Sequence, residues 1–472
     1  MRCAILLAAL WMADAPAATL AIEHIHLVDA TGAPARSGIT VLVRDARIAQ
    51  IAPDGHVQIP ADAQRVDGTG RWLIPGLWDM HVHVLRPGRP DAYFPLLVAQ
   101  GIVGVRDMGG DLPLAEVRRL KDAIARGART GPQLVAAGRI LDGPPMQLPQ
   151  ISTLVTDAAS AQAAVQRAHD DGADFIKVYN RLSRPAYFSI ATAARKLGLP
   201  VAGHVPFSVS AREASNAGQA SIEHLFNILF ACSSREDELM ARKADTLGPG
   251  IAGERREQRR AYLRDVLDSY DAPRAQALFA LFARNHTWQV PTLVQRRAFG
   301  EPDTWQADAQ QLQYVPQTQR WRWDVQQDGR IANREAEDRE LERRFYEKDR
   351  EQIPPMLRVG VGFLAGTDAG DPYSVPGFSL HQELALLVDA GLTPLQALQA
   401  ATREPARFLH REREQGTVET GKRADLVLLD ADPLADIHNT SHIAGVVLDG
   451  RWLDRAALDV LLAQARAAAA AN

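Results

Sequence analysis

Cysteine is nearly missing from this chain: Cys3 and Cys232 are the two in 472 residues. That excludes a disulfide framework and a thiolate metal site, which need several cysteines at fixed spacings. An excess of one charge is missing as well. Lys and Arg number 53 against 57 Asp and Glu, a formal net charge of −4. Nucleic acid would call for a basic patch that this balance does not suggest, so no nucleic-acid partner is expected. Beyond the N-terminal segment no apolar run approaches the ~20 residues of a bilayer span. What is left, 46% hydrophobic and 23% charged, is an ordinary globular composition. The length suggests about two to three domains.

The N-terminal stretch "MRCAILLAALWMADAPAATLA" has one Arg, an apolar run interrupted by Asp14, and an Ala-rich end. Residues 1–21 read as a secretory signal peptide with cleavage after Ala18 or Ala21. The expected location is periplasmic or secreted, the alternative being an Ala-rich start to a cytoplasmic protein. Residues 22–75 then look like short strands with turns, and the alternation around Asp45-Ala46-Arg47 predicts a hairpin. Residues 416–456, with "GTVETGKRADLVLLD" and "IAGVVLDGRWL", are strand-rich too. Each end alone is too small for a core; together they suggest one β-sandwich built from both termini. Residues 457–472 read as an Ala-rich tail.

Between these ends, residues 76–415 alternate short apolar strands with amphipathic helical stretches. Eight such strands, from "LWDMHVHV" to "VGFLAGTDAG", predict an α/β fold of the (β/α)8, TIM-like barrel type. Helix signals agree: Thr393, Pro394 and Gln396 form an N-terminal capping pattern, and Ser379 with Gln382 repeats it. Two long insertions, at about 233–285 and 298–355, are rich in charged helical sequence. Such runs are ordinarily solvated faces. The second also holds Trp305, Tyr314, Trp321 and Trp323, and its attachment to strand ends makes it a candidate lid.

"LWDMHVHV", Leu77 to Val84, turns Asp79, His81 and His83 to one face, because strand side chains alternate. Further along, Lys177, His204, His224 and Asp368 stand at the ends of the fourth, fifth, sixth and eighth strands. Chemistry in such a barrel is carried out at that end, with groups from several strands converging. One histidine on a strand is ordinarily a satisfied core residue. Six ionisable groups at successive strand ends would each need a partner in a dry interior. A metal cluster serves them all, and imidazole with carboxylate suits Zn²⁺ and its neighbours. Lys177 is the exception, since an ammonium repels a cation. Carboxylated by CO₂ it becomes an anionic carbamate able to bridge two ions; the plainer reading is a buried lysine paired with an acid.

"PGLWDMHVH", "FIKVY", "GHV", "IEHL" and "AGTDAG", in this order, with "GTVETGKRADLVLLDADPL" behind them, resemble the amidohydrolase superfamily. The likeness is to imidazolonepropionase-like and prolidase-like members with a carboxylated lysine, and it spans about Ala21 to Asp454. It implies a binuclear site, with His81, His83 and Asp368 on one ion, His204 and His224 on the other, and Lys177 bridging. It further implies two divalent ions, expected to be Zn²⁺, with a hydroxide between them that attacks an amide carbonyl. Asp368 would act as base and then acid. Tyr179, on the same strand face as Lys177, would hydrogen-bond the developing oxyanion or a substrate carboxylate, and the resemblance favours that role over simple packing.

Prolidase-like relatives cleave dipeptides and N-acyl amino acids, grasping a carboxylate through strand-end loops. Arg139 and the "ILDGPPMQLPQ" loop lie where such a contact is expected, although the loop departs from the Gly- and His-rich form of several dipeptidase relatives. Arg106 and Asp107 are expected to form an ion pair behind the site. Asp79 is expected to be structural, and His381 to support Asp368 or its loop. The leading expectation is a hydrolase of small amides, a dipeptidase or N-acyl-amino-acid hydrolase, with a homo-oligomer left open. Alternatives are hydrolysis of a cyclic amide, lactone or ester, a deaminase, and a non-catalytic scaffold.

Overall fold

Asp45 and Ala46 both adopt left-handed backbone angles (φ 52° and 59°), the geometry of a tight two-residue hairpin turn. That turn joins strands Arg36–Arg44 and Arg47–Pro53 at the edge of an eight-stranded mixed sheet. The structure, a computed structural model, describes residues 19–246, 254–305 and 308–471. Both chain ends supply the sheet: Trp72–Pro75 pairs antiparallel with Leu426–Leu429, matching Leu73 with Leu428. Ile22, Ile25, Val41, Val43, Leu73, Leu426 and Leu428 share a core on this sheet. The expected signal segment lies outside the described residues up to position 18. Its last two residues, Leu20 and Ala21, are buried in the first strand, Leu20–Leu27, so cleavage after Ala18 alone leaves that strand whole.

The central region is built of parallel strands with helices between them. Leu77–Val82, Ile102–Asp107 and Gln133–Ala136 form one sheet. Ile140–Asp142, Ile176–Val178, Val201–Gly203, Gln219–Glu223 and Trp288–Val290 form another, with Ser152–Leu154 added at its edge. Regular pairing does not close these into one barrel. The expected eighth strand is an irregular segment that still bonds to both neighbours. Leu364 N donates to Gln289 O at 2.9 Å, while Met80 N donates to Ala365 O at 2.9 Å. Gly366 makes the close approach feasible: a Cβ there would lie 2.9 Å from the His81 backbone nitrogen.

Several helical expectations need correction. Thr393 does cap the Pro394–Ala400 helix with a reciprocal Gln396 box. Ser379, however, lies inside the Phe378–Asp389 helix, which starts at Gly377 (φ 86°). The Ala-rich end is no loose tail: Arg455–Ala471 is a helix that buries Leu458, Ala465 and Ala469. The charged insertion helices are not simply solvated either. Glu254–Asp268 and Ala336–Glu351 pack through Tyr262, Leu263, Leu341 and Phe345. An ion-pair ladder flanks that contact, including Arg260 to Asp338 at 2.7 Å. Of the candidate lid residues, Tyr314 and Trp323 pack with Leu96, Val375 and Ala465, and Trp305 packs on Tyr373.

Candidate metal centre

Four imidazoles meet at the C-terminal ends of the parallel strands. Ring centroids of His81 and His224 lie 4.6 Å apart, His204 and His224 4.8 Å, and His81 and His83 5.5 Å. Each Nδ1 is taken by a separate acceptor. His81 uses Glu223 Oε2 at 2.7 Å, His83 uses Gly109 O at 2.7 Å, and His204 uses Asn180 Oδ1 at 2.7 Å. His224 donates to Thr292 Oγ1 at 2.6 Å, whose own hydrogen goes to Pro291 O at 2.8 Å. With every Nδ1 so occupied, Nε2 is the nitrogen left with a free lone pair. This outer arrangement fixes tautomer and ring angle, as around ligating histidines.

Asp368 completes the cluster. Its Oδ1 lies 3.3 Å from His81 Nε2 and 3.2 Å from His83 Nε2. His81, His224 and Asp368 bring ligand atoms within 4.8 Å of one another, and so do His83, Asp368 and Asp371. His81 Nε2 is buried with no hydrogen-bond partner among the described residues. Such an orphaned nitrogen is expensive unless something coordinates it. The donor set of imidazole nitrogens and carboxylate oxygens therefore fits divalent cations of the zinc type. Without an ion, burial disfavours the His83 charge, yet the Asp368 bond lifts its pKa to about 9.

His224 and Asp368 share an unusual feature: both are left-handed, with φ 61°. Non-glycine residues adopt that region in a few per cent of cases, and such residues concentrate at functional sites. At His224 the twist breaks strand alternation. Glu223 and its neighbour His224 can thus both serve the cluster, Glu223 through His81 and His224 directly.

Lys177 is 1% exposed, and no hydrogen bond or ion pair holds its ammonium among the described residues. Burial pushes its pKa down to about 8. The paired-acid reading therefore finds no acid in contact. Tyr179 lies against His204, with ring centroids 4.3 Å apart and planes tilted by 33°. Burial, reinforced by the Asp368 and Asp371 charges, raises its pKa, so the phenol keeps its proton.

The remaining expectations divide. Arg106 does pair behind the site, but with Glu223 at 3.0 Å rather than with Asp107. Burial works against the Glu223 charge, yet Arg106 and His81 hold that carboxyl well below the usual range. Asp107 instead accepts from the backbone nitrogens of Val84 and Leu85. Asp79 accepts from Thr367 Oγ1 at 2.6 Å and locks the Asp368 segment to the first strand. His381 is placed elsewhere, bonded to Thr440 Oγ1 at 3.0 Å and Gln100 O at 3.2 Å, and does not support Asp368. Arg139 is exposed and spends its guanidinium on the carbonyls of Pro149, Gln150 and Ser152. It shapes its own loop, and a substrate contact would require breaking those bonds.

Asp371, Glu223, Asn180, Thr292 and Glu383 escaped the sequence reading. Asp371 follows Asp368 by one turn, and Glu223 adjoins a histidine already singled out, so a signal existed for both. For Glu383, which accepts from Val294 N at 2.8 Å beside Thr292, nothing in its helix marks a role at the site.

The sequence profile of the amidohydrolase family matches residues 72–453, most of the chain. The chain belongs to the amidohydrolase family. Among solved structures, a Bifidobacterium longum protein provisionally assigned as a prolidase is 25% identical with a TM-score of 0.68. That match covers 96% of this chain and 100% of the other. A Xaa-Pro dipeptidase with methionine bound in its active site is 20% identical, TM-score 0.67, covering 93% and 100%; this likeness concerns the fold alone. A dihydroorotase from Anaeromyxobacter sp. (strain K) is 44% identical over 50 residues, 11% of each chain. The chain thus spans about a tenth of the length of the first curated relatives it matches.

Proposed function

We propose that this amidohydrolase family member hydrolyses the C–N bond of a dipeptide or N-acyl amino acid at a binuclear metal site. The observation that carries the reading is the common anchoring of four Nδ1 atoms, which leaves four Nε2 lone pairs beside one carboxylate. His81, His83 and Asp368 would hold one ion, His204 and His224 the other, both Zn²⁺. Lys177, carboxylated by CO₂, would bridge them. Its depressed pKa supports this, because only the neutral amine adds to CO₂. When bound, such ions lower the pKa of water and polarise a carbonyl.

The chain's own residues do the rest. Asp368 takes the proton from the attacking water and returns it to the departing nitrogen, the general base and then acid. Tyr179, kept protonated, donates to the substrate oxygen as charge builds on it. Glu223 and Arg106 hold His81 in the tautomer that offers Nε2. In this reading the parallel strands of residues 76–415 act as a (β/α)8 barrel and the terminal sheet, 22–75 with 416–456, as a β-sandwich. Export through residues 1–21 to the periplasm or medium belongs to the same proposal, and would suit a scavenger of peptides or foreign amides.

Hydrolysis of a cyclic amide is the second reading, favoured by the local identity to dihydroorotases. Metal content by plasma mass spectrometry, on wild type and K177A purified without chelators, tests the site. The expected result is about two equivalents in wild type, a large loss in K177A, and hydrolysis reduced by more than about a hundredfold. About one equivalent, unchanged by the substitution, would remove the bridge and favour the second reading.

A further inference from the structure

Thr292 stands at the start of the Leu293–Gly300 helix, where a threonine hydroxyl ordinarily accepts from the backbone nitrogen two or three residues on. Here it does not. Its Oγ1 is turned back into the strand-end cradle, accepting from His224 Nδ1 at 2.6 Å and donating to Pro291 O at 2.8 Å. The helix therefore begins without a side-chain cap of its own. The amide two residues on is taken by a different helix: Val294 N donates to Glu383 Oε2 at 2.8 Å. Glu383 is fully buried in Phe378–Asp389, the helix that follows the Asp368 loop. Its other oxygen, Oε1, has no hydrogen-bond partner among the described residues. A carboxyl group enclosed at that cost calls for a reason.

The Thr292 backbone is left-handed, with φ 48° and ψ 48°, where a β-branched residue is an outlier. Such a conformation persists only when the surroundings over-determine it. A capping threonine is normally extended instead. Were Val294 N left open, Thr292 would gain a bond by turning to that extended form, and Oγ1 would leave His224 for the amide. Glu383 removes the gain, because the amide is already satisfied. The acid is itself held in place. Two residues before it, His381 ties the same helix to Thr440 Oγ1 at 3.0 Å and Gln100 O at 3.2 Å.

We propose that Glu383 is a positioning residue of the metal centre: it caps the Leu293–Gly300 helix in place of Thr292, which frees the threonine hydroxyl to fix the His224 ring. The inference rests on the metal centre proposed above and deepens it. Glu383 acts on His224 through two hydrogen bonds and the backbone from Thr292 to Val294. The need is for an acceptor oxygen at the right reach rather than for a charge. Burial raises the Glu383 pKa to about 8, and a protonated acid still accepts through one oxygen. Glutamine meets that need, whereas aspartate is one methylene too short.

The test uses the full-length protein, first with zinc against a competing chelator. E383D and E383M are each expected to lose about tenfold in zinc affinity, while E383Q stays close to wild type. In a T292V background E383M should cost nothing more, because the hydroxyl it protects is already gone. The second readout is nitrogen NMR of the histidine-labelled, metal-free protein, with the His224 signals assigned from H224N. Wild type should show Nδ1 protonated and Nε2 bare; E383D and T292V should mix the two tautomers, and E383Q should not. Either readout unchanged in E383D overturns the inference, as does an E383Q that falls as far as E383D. Losses for E383M and T292V that multiply in the double variant also overturn it. Should E383M fail to fold, the contrast of E383D with E383Q decides. If wild type binds no zinc while E383D still shifts the His224 tautomer, the metal reading fails and the positioning role stands. If zinc binds and E383D changes neither readout, the positioning role fails and the metal centre stands. No zinc and no tautomer shift overturns both.

Discussion

Arg106 and Arg264 each pair with a glutamate, Glu223 and Glu337, but in opposite surroundings. The first pair is 1% and 0% exposed and sits behind His81; the second is 41% and 46% exposed on the insertion helices. In the dry strand-end cradle, each charge is tied to particular partners. Glu223 also accepts from His81 Nδ1 and Ser221 Oγ, and Arg106 also donates to Met80 O at 2.7 Å. On the insertions the charges form a ladder in which Arg260 reaches Glu257, Glu335, Glu337 and Asp338. At its exposed rungs, such as Arg264 with Glu337, partners are exchangeable because water stands ready to replace them, while Arg260 and Asp338 are themselves buried. Removal of a buried partner exposes its mate to the full cost of desolvation, whereas removal of a surface partner costs little.

Three substitutions probe that difference, beginning with the largest effect. R106M strands the Glu223 carboxylate in the interior and should destabilise the fold by about 3–5 kcal/mol, measured by urea unfolding of the metal-free protein. A loss as small as that of a surface pair would mean that Glu223 takes up a proton at little cost, and the contrast would dissolve. T292V comes next. Valine keeps the shape and branching of Thr292 but cannot accept from His224 Nδ1. Competition with a chelator should show metal affinity lowered about 10–100-fold, and urea unfolding a loss of about 1–3 kcal/mol for the unpaired Nδ1 donor, less than that of R106M. R264A should have the smallest effect, a slight shift of the urea midpoint that disappears in about 0.5 M salt as screening shortens the reach of the remaining charges. A large, salt-independent loss would show that the ladder behaves as an interior network.

The same contrast explains which parts of the molecule were legible in the sequence. His81, His83, Lys177, His204, His224 and Asp368 stood out because ionisable groups in apolar strands have few innocent explanations. Five of them now lie in one cluster or touch it through their rings, and Lys177 is buried without a bonded acid. The hairpin at Asp45-Ala46 and the Thr393 cap were also readable, since each is decided by neighbours a few residues apart. Ser379 misled because its helix begins two residues earlier, at a glycine. Charged insertion helices read as solvated for a similar reason: their partners lie about 75–80 residues away, as with Arg260 and Asp338.

The sequence by itself therefore determined the family, the alternation of strands and helices, and the group of ligand-type residues, because all of these are written in local spacing and residue chemistry. Tertiary structure alone decided the pairing of both termini in one sheet and the left-handed turns at His224 and Asp368. It also chose Glu223, Asn180, Thr292 and Gly109 as the acceptors that orient four imidazoles. It turned Arg139 onto the carbonyls of its own loop. The physical reason is that a hydrogen bond needs donor and acceptor within about 3 Å, and only the folded chain brings residues from distant segments to that distance.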